Sequence, residues 1–483
     1  MIIMNTKIQL IFPEGGSKLS SSGILPPVGI ISIATYIKNK MPKIEIELFD
    51  GEIIKQKEIE KKICAKIIGI STTGANYNNT LKIAKKAKKK GALIILGGSH
   101  ATVKHKEILE KNKYIDAVVR GDGEITFYKY IKAIFNNNIN DLKKINNLSF
   151  RLNNKIIINS PTCAINLINL NKLPLPDYSL LGDTLKKYEI NFENSKYKKS
   201  GFTKFISIES QKGCSKAKIL SKNKGRCSFC ARIDLGLRRL NPNEFWKRII
   251  KIHNNNSKTL IWDISDNFIG KLSKDDVWLK ELAKSKPKTL KNKVYFKIFA
   301  RSDNLDIETI KLIKEIGVSE IFIGIESGDQ NKLDLINKGT TIKDNINAIR
   351  NLKKYNIKVY ISLVYGLPKE DKHSLKKTYQ HTKKLIEIGN ITDIGARVLF
   401  PLAGCIDHQK LIIKLKNKHK ISLANKITNC DYYNPYKLQK LWVKYLTNTS
   451  SKEINIYHKK IMKLAKIKNI KINNTKRLFL NKK

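Results

Sequence analysis

The sequence predicts an α/β protein: an N-terminal doubly wound parallel sheet, a partial (β/α)6 TIM-like barrel, and a small, mainly helical C-terminal region. Three observations carry this. Short apolar runs alternate with helix-period segments over residues 1–135, and such alternation implies parallel strands covered by helices. Residues 136–200 break the pattern with Asn, Pro and turn formers. The alternation then resumes for six more strand–helix units in residues 201–402, ahead of a basic stretch at 403–483.

In the first block the strand candidates are Lys7–Phe12, Ile44–Phe49, Ile67–Ile70, Leu93–Leu96 and Ala117–Val119, with helical segments such as Thr80–Lys90 between them and Thr126–Ile134 after them. Ligands of such sheets sit at the carboxyl ends of the strands. There the sequence has Asp50-Gly51, Ser71-Thr72-Thr73 and Gly97-Gly98. The 136–200 stretch, with "NNNIND", "NLNKLPLPDYSLLGD" and the strand-like Lys155–Ile158, predicts a linker with a hairpin. In the second block strands are expected at Phe205–Ile208, Thr259–Ile264, Lys293–Ile298, Glu320–Ile325, Lys358–Val364 and Asp393–Phe400. Asn241 before Pro242 and Glu244 marks a helix start. Ile307, Ile310, Ile313 and Ile316 keep helical spacing up to a stop at Gly317. The last stretch has helical patterns such as Tyr457–Ile467 and no chemical motif.

Of the 483 residues, 41% are hydrophobic, which is globular composition. The net charge of +52 suggests a polyanion partner, yet only 11 of the 93 basic residues are arginine, the residue suited to bidentate phosphate and base contacts. The lysines are spread through the chain with many Ile and Asn, as A/T-rich codons would produce. No signal peptide is visible, and the uncharged run Leu19–Ile37 is broken by Pro26 and Pro27 and makes a poor membrane span. Seven scattered cysteines (64, 163, 214, 227, 230, 405 and 430) argue against a secreted disulfide framework and for a reducing cytoplasm.

Three of them cluster in "GCSKAKILSKNKGRCSFC", Gly213–Cys230. Cys214 lies just past the first strand of the second block, where barrels place catalytic groups. Structural zinc wants four protein ligands, and the nearest histidine is His253. Three thiolates leave one iron of a 4Fe–4S cluster without a protein ligand, open to a substrate. A zinc site with a distant fourth ligand and three unrelated buried cysteines stay open beside the cluster at this point.

Cys227-Ser228-Phe229-Cys230 resembles the end of the radical SAM superfamily motif, usually C-x3-C-x2-C with an aromatic before the last cysteine. Here twelve residues replace three in the first gap. "WDISDNFIG", "FARSD", "IFIGIESGDQNKLDLINKG" and "SLVYGLPKE" are similar to the family's later strand ends, in order. The resemblance implies that Cys214, Cys227 and Cys230 hold the 4Fe–4S cluster. S-adenosylmethionine (SAM) would bind the open iron, and one electron would cleave it to methionine and a 5′-deoxyadenosyl radical. It also implies SAM contacts from Phe229, Asp266, Arg301, Glu326, Ser327 and Gly366. The ordinary alternatives are a loop salt bridge for Glu326 and Arg301 and a plain turn at Gly366. Five of the twelve inserted residues are basic: Lys216, Lys218, Lys222, Lys224 and Arg226. They form a solvated loop, or they raise the cluster's potential and steer an acidic flavodoxin- or ferredoxin-type electron donor.

The first block has no G-x-G-x-x-G after its first strand and no G-x-x-x-x-G-K-[ST]. "PPVGIISIATYI", "LFDGE", "GISTTGAN", "LGGSHAT" and "VVRGDGEITF" resemble the Rossmann-like cobalamin-binding domain that precedes one branch of radical SAM enzymes. The resemblance implies cobalamin contacts from Gly29, Asp50, Ser71, Thr73, Gly97 and Gly98. Ile24 and Pro26 stand where a D-x-H-x-x-G motif would have Asp and the cobalt-ligating His. The alternative is a domain that kept the fold and lost the cofactor.

The implied function is that of a cytoplasmic, cobalamin-dependent type of radical SAM enzyme. Methylation of an unreactive carbon or phosphorus centre is the expected outcome, with cyclisation or rearrangement open. A small-molecule or lipid substrate is expected over nucleic acid, and the chain is not expected to be an integral membrane protein. The alternatives are a methylthiotransferase-like RNA modifier and a zinc-containing nucleic-acid binder.

Overall fold

The structure, a computed structural model, describes residues 7–15, 23–162, 167–217, 225–232, 234, 237–255, 257–270, 277–428 and 435–473. Lys218, Lys222 and Lys224 of the basic insertion lie outside the described residues. The chain divides into two compact units. One comprises residues 1–195, 231–233 and 421–434, and the other the remainder.

The first unit is built on strands β1 (Lys7–Phe12), β2 (Glu45–Asp50), β3 (Ile67–Ser71), β4 (Leu93–Gly97), β5 (Ala117–Val119), β6 (Leu148–Leu152) and β7 (Lys155–Ile158). Their order is β2-β1-β3-β4-β5-β6-β7. The first five are parallel, and β6 and β7 are antiparallel. The hairpin expected within 136–200 is therefore present and, through β6 on β5, lengthens this sheet. The order reverses between β1 and β3, the switch point where doubly wound sheets take ligands. Ile8, Ile31, Ile37, Ile68 and Ile94 are fully buried in this unit. Each such side chain contributes about 1.5–3 kcal/mol of burial.

The second unit opens with β8 (Lys204–Ile208) and the short antiparallel pair β9 (Gln211–Lys212) and β10 (Arg238–Arg239). It continues with β11 (Thr259–Asp263), β12 (Val294–Ala300), β13 (Val318–Glu326), β14 (Lys358–Tyr365), β15 (Ile391–Val398) and β16 (Lys471–Asn473). The sheet runs β8-β11-β12-β13-β14-β15-β16 and is parallel throughout. The six expected strands are all present, in order, and the C-terminal region adds a seventh. Period-two alternation sorts the faces of β13: Ile321, Ile323 and Ile325 are fully buried, whereas Phe322 and Gly324 are half-buried on the other, inner face.

An aromatic row crosses that inner face, with ring centroids 5.6 Å apart for Trp262–Phe299, 4.9 Å for Phe299–Phe322 and 4.4 Å for Phe322–Tyr360. Nearer the amino ends of the strands lies a layer of charge. Lys297 Nζ is 2.6 Å from Glu320 and donates to the Tyr197 hydroxyl at 3.0 Å, and Lys196 meets Asp393 at 2.9 Å. Buried charges persist only when paired in this way.

The expected helix signals are in place. The Asn241 side chain accepts from the Glu244 amide at 2.7 Å, and Gly317 ends its helix at φ 107°. Among the described residues no helix is long and apolar enough to cross a membrane.

Candidate active site

The site of the second unit forms where the chain leaves the carboxyl ends of its strands. After β8 and β9 comes Gly213, at φ 91°, and then Cys214. Cys214, Cys227 and Cys230 are half-buried, and none is in a disulfide. The Cys230 amide donates to the Cys227 carbonyl at 3.0 Å and closes the turn between them. The turn is held from outside. The Ser228 amide donates to the Ile336 carbonyl at 2.8 Å, and the Asn337 side chain donates to the Arg226 carbonyl at 2.8 Å. Burial pushes the Cys214 thiol up, opposed by the Lys216 amide and the Arg301 guanidinium; Cys227 and Asp266 act on it in the same direction as burial. Among the described residues no three His, Cys, Asp or Glu side chains are grouped to hold one metal ion. A four-iron cube takes its ligands at separate corners and asks for a wider triangle.

Arg301, just past β12, forms a two-point pair with Asp303 at 3.0 and 2.8 Å and donates to the Lys338 carbonyl at 2.8 Å. Burial works against its charge, but Asp303, Cys227 and Cys214 outweigh it and hold the guanidinium above its usual value. Glu326 ends β13 at φ 60°, a left-handed conformation that costs a non-glycine residue about 1–3 kcal/mol and clusters at functional sites. The pairing register with β14 slips at the same point. The side chain folds back over Gly324, where a Cβ would lie 2.2 Å from Glu326 Oε1. Lys338 Nζ grips that oxygen at 2.7 Å, and both side chains are under a tenth exposed. Burial lowers Lys338, but Glu326 and then Cys227 raise it further, so its ammonium is kept.

The other expected SAM residues divide. Asp266 and Phe229 are half-buried, and Asp266 lies within electrostatic reach of Cys214. Ser327 is fully buried, and its hydroxyl is used by Thr378 Oγ1 and the Asp329 amide, each at 3.1 Å. Gly366 sits at φ 69° just past β14. Its amide donates to Glu370 Oε2 at 2.6 Å, and its carbonyl accepts from the Trp442 indole at 2.6 Å. Glu370 is buried, so its carboxyl is pushed up to about 8, against the pull of the Gly366 amide.

Three contributors carry no strong sequence signal: Lys338, Glu370 and Trp442. The inserted Lys216 is also not a plain solvated residue. Its ammonium is 2.4 Å from the position a Cβ on Gly339 would take, and burial followed by the Arg301 charge lowers its pKa.

In the first unit, Ser71, Thr73 and Gly97 come together, half-buried, at the carboxyl ends of β3 and β4. Asn76 organises this edge: it accepts from the Thr73 amide at 2.7 Å and donates to the Ser71 carbonyl at 3.1 Å and the Pro13 carbonyl at 3.2 Å. It thus clips the loop after β1 to the loop after β3, across the switch point. A Cβ on Gly97 would meet only the Val119 carbonyl, at 3.8 Å, whereas one on Gly98 (φ +89°) would strike Thr72 O at 2.6 Å. Gly98 therefore serves the close approach to Thr72. Gly29 is an exposed helix residue with nothing within 4 Å of its Cβ position. The Asp50 carboxylate accepts from the Tyr188 hydroxyl and, at 2.9 Å, from the Glu52 amide, and burial raises its pKa to about 6.

Comparison with known proteins accords with both units. Residues 223–382 match the radical SAM superfamily, and residues 18–131 match the B12 binding domain. An uncharacterized methyltransferase of Pyrococcus horikoshii is 26% identical over 402 residues, 78% of each chain. The radical SAM methyltransferase TsrM of Kitasatospora setae, solved with cobalamin and a [4Fe-4S] cluster, aligns with a TM-score of 0.63 at 14% identity, over 85% of this chain and 75% of that one. The cobalamin-dependent SAM radical enzyme OxsB, solved with aqua-cobalamin, aligns with a TM-score of 0.61 at 19% identity, over 79% of this chain and 52% of that one. The chain thus carries a radical SAM domain preceded by an N-terminal B12-binding domain.

Proposed function

We propose that this chain is a cobalamin-dependent radical SAM enzyme of the methyltransferase type, acting on a small organic substrate. The observation that carries the reading is the gathering of three half-buried cysteines with Arg301, Lys338 and Glu326 where neighbouring strands of a parallel half-barrel end. Thiolates on an iron cube are anionic, and the cations around Cys214 and Cys227 suit that donor set. Cys214, Cys227 and Cys230 would hold the cluster, leaving one iron without a protein ligand. When bound, the cluster, SAM and cobalamin supply one-electron cleavage of a sulfonium and a transferable methyl group.

The chain's own residues bind and orient. Glu326, turned by its backbone and fixed by Lys338, presents a carboxylate to ribose hydroxyls. Arg301 and Lys338 offer charge to an anionic group. The Gly366 turn is tied at its amide and its carbonyl, and a Cβ there would meet the Val398 and Val443 side chains at 3.2 and 3.4 Å, so the turn is packed on that side and fixes the end of β14 beside the site. In the first unit, Ser71 and Thr73 beside the open Gly97 would hold the tail of a cobalamin at the switch point, and the Asp50 carboxylate is turned to Tyr188. The inner face of the barrel sheet offers half-buried Phe299, Phe322, Ser362 and Val364, a mostly apolar lining that supports a small organic substrate over nucleic acid. The electron would come from an acidic flavodoxin- or ferredoxin-type donor in the cytoplasm, drawn by the chain's positive charge.

The test is anaerobic reconstitution with iron, sulfide, cobalamin, SAM and a strong reductant. Formation of 5′-deoxyadenosine or S-adenosylhomocysteine from SAM, lost in Cys227→Ala, is expected. Protein that carries zinc closed by a fourth side chain and turns over no SAM would overturn the reading.

A further inference from the structure

The C-x2-C pair has a fixing problem. Twelve residues separate Cys214 from Cys227, so the local chain cannot set the direction of the last two thiols, and tertiary bonds have to do so. Ser228, between Cys227 and Phe229, is 3% exposed and uses all three of its hydrogen-bonding groups. Its amide goes to the Ile336 carbonyl at 2.8 Å. Its hydroxyl donates to Asp407 Oδ2 at 2.8 Å, and its carbonyl accepts from the Asp407 amide at 3.1 Å. One residue, 179 positions away in sequence, thus holds Ser228 at two points. Asp407 is fully buried in the first turn of the Ile406–Asn417 helix, which Cys405 caps through a bond from the His408 amide at 3.3 Å. Its other oxygen faces Lys410 Nζ at 3.2 Å. A buried carboxylate is costly unless it is paired, and Asp407 takes its partners from the Ser228 hydroxyl and Lys410.

We propose that Asp407 is a positioning residue for the cluster: it locks Ser228 and so aims Cys227 and Cys230 at the iron cube. This rests on the reading of the three cysteines as cluster ligands. The groups that orient metal ligands from behind typically change metal affinity or activity 10–100-fold when removed.

The experiment uses the full chain, reconstituted anaerobically, with three readouts: iron and sulfide per chain, the electron paramagnetic resonance spectrum of the reduced cluster, and the rate at which a ferrous chelator strips the cluster. Asp407→Ala and Ser228→Ala should each speed stripping about tenfold or more and shift the spectrum. The double variant should be no faster than either single, because both remove one bond. Asp407→Asn, which keeps an acceptor of the same shape, should restore most of the wild-type rate. If Asp407→Ala fails to fold by circular dichroism, Ser228→Ala and Asp407→Asn carry the comparison. Variants with wild-type stripping and spectra, or a double variant with two independent additive effects, would overturn the proposal and leave the function standing. A wild-type chain that takes up no 4Fe–4S cluster would overturn both.

Discussion

Glu370 makes a sharp test of how the Gly366 turn is held. It is 1% exposed. One oxygen accepts the Gly366 amide, and the other, Oε1, has no hydrogen-bond partner among the described residues. Burial raises its carboxyl from 4.5 to about 8, with the Gly366 amide and Lys332 pulling the other way. The folded value lies above the unfolded one, so this contribution to stability is complete below pH 4.5 and is lost as pH rises through about 8. In that window the native state holds one more proton than the unfolded chain. Stability should therefore fall by about 1.4 kcal/mol per pH unit, about 3 kcal/mol between pH 5 and 7.5. Glu370→Gln keeps the acceptor for Gly366, places an amide where Oε1 had no partner at a cost of about 1–3 kcal/mol, and does not titrate. Its cost is the same at every pH. Denaturant unfolding of both proteins, reduced and anaerobic, at half-unit steps from pH 5 to 7.5 isolates the effect in the difference, where cysteines and surface groups cancel. A wild-type-minus-variant difference that stays flat with pH refutes the reasoning.

Three further outcomes are expected. Lys338→Met leaves Glu326 alone in a buried site and should destabilise the second unit by about 3–5 kcal/mol, with Glu326→Gln in the same chain restoring much of the loss; equal unfolding midpoints for wild type and Lys338→Met would contradict this. Lys216→Gln removes a cation beside Cys214 and should make the reconstituted cluster harder to reduce, seen as a more negative midpoint in a redox titration; an unchanged midpoint assigns Lys216 to packing alone. Gly98→Ala forces a Cβ into Thr72 and should lower the melting temperature and cobalamin uptake together, whereas Gly29→Ala, on an open helix face, should be neutral or stabilise by up to about 1 kcal/mol; equal effects of the two would refute the placement of Gly98.

The architecture was legible because it rests on period. Alternating apolar runs and helix spacing mark β1 to β5, β8 and β11 to β15 locally, and caps such as Asn241 and stops such as Gly317 work within one turn of chain. Pairings at distance were not. Nothing in Leu148–Leu152 says that it will lie on β5, and nothing in Lys471–Asn473 says that it will close onto β15. In the site, Cys214, Cys227 and Cys230 stood out because thiols are rare in this chain, and Glu326 because it ends an apolar strand. Lys338 is one of very many lysines and carried no signal beyond its place in "LINKG". At Ser327 and Asp50 the structure adds what spacing does not record: the hydroxyl meets Thr378 and the carboxylate meets Tyr188, a choice of rotamer and neighbour. Asp407 lay in a stretch without a motif and matters only because folding brings it to Ser228.

The short strand β16 and the Trp442 indole change what counts as the functional core. Residues 201–402 look self-sufficient by their repeats, but a chain cut after them would bare the edge of β15 along Asp393, Ile394 and Gly395, where β16 pairs, and would strip the indole from the Gly366 carbonyl. Exposed parallel edges invite strand-to-strand self-association. Recombinant work on the radical chemistry should therefore keep the tail through Asn473; a tail-less version would be expected in inclusion bodies before its chemistry was ever measured.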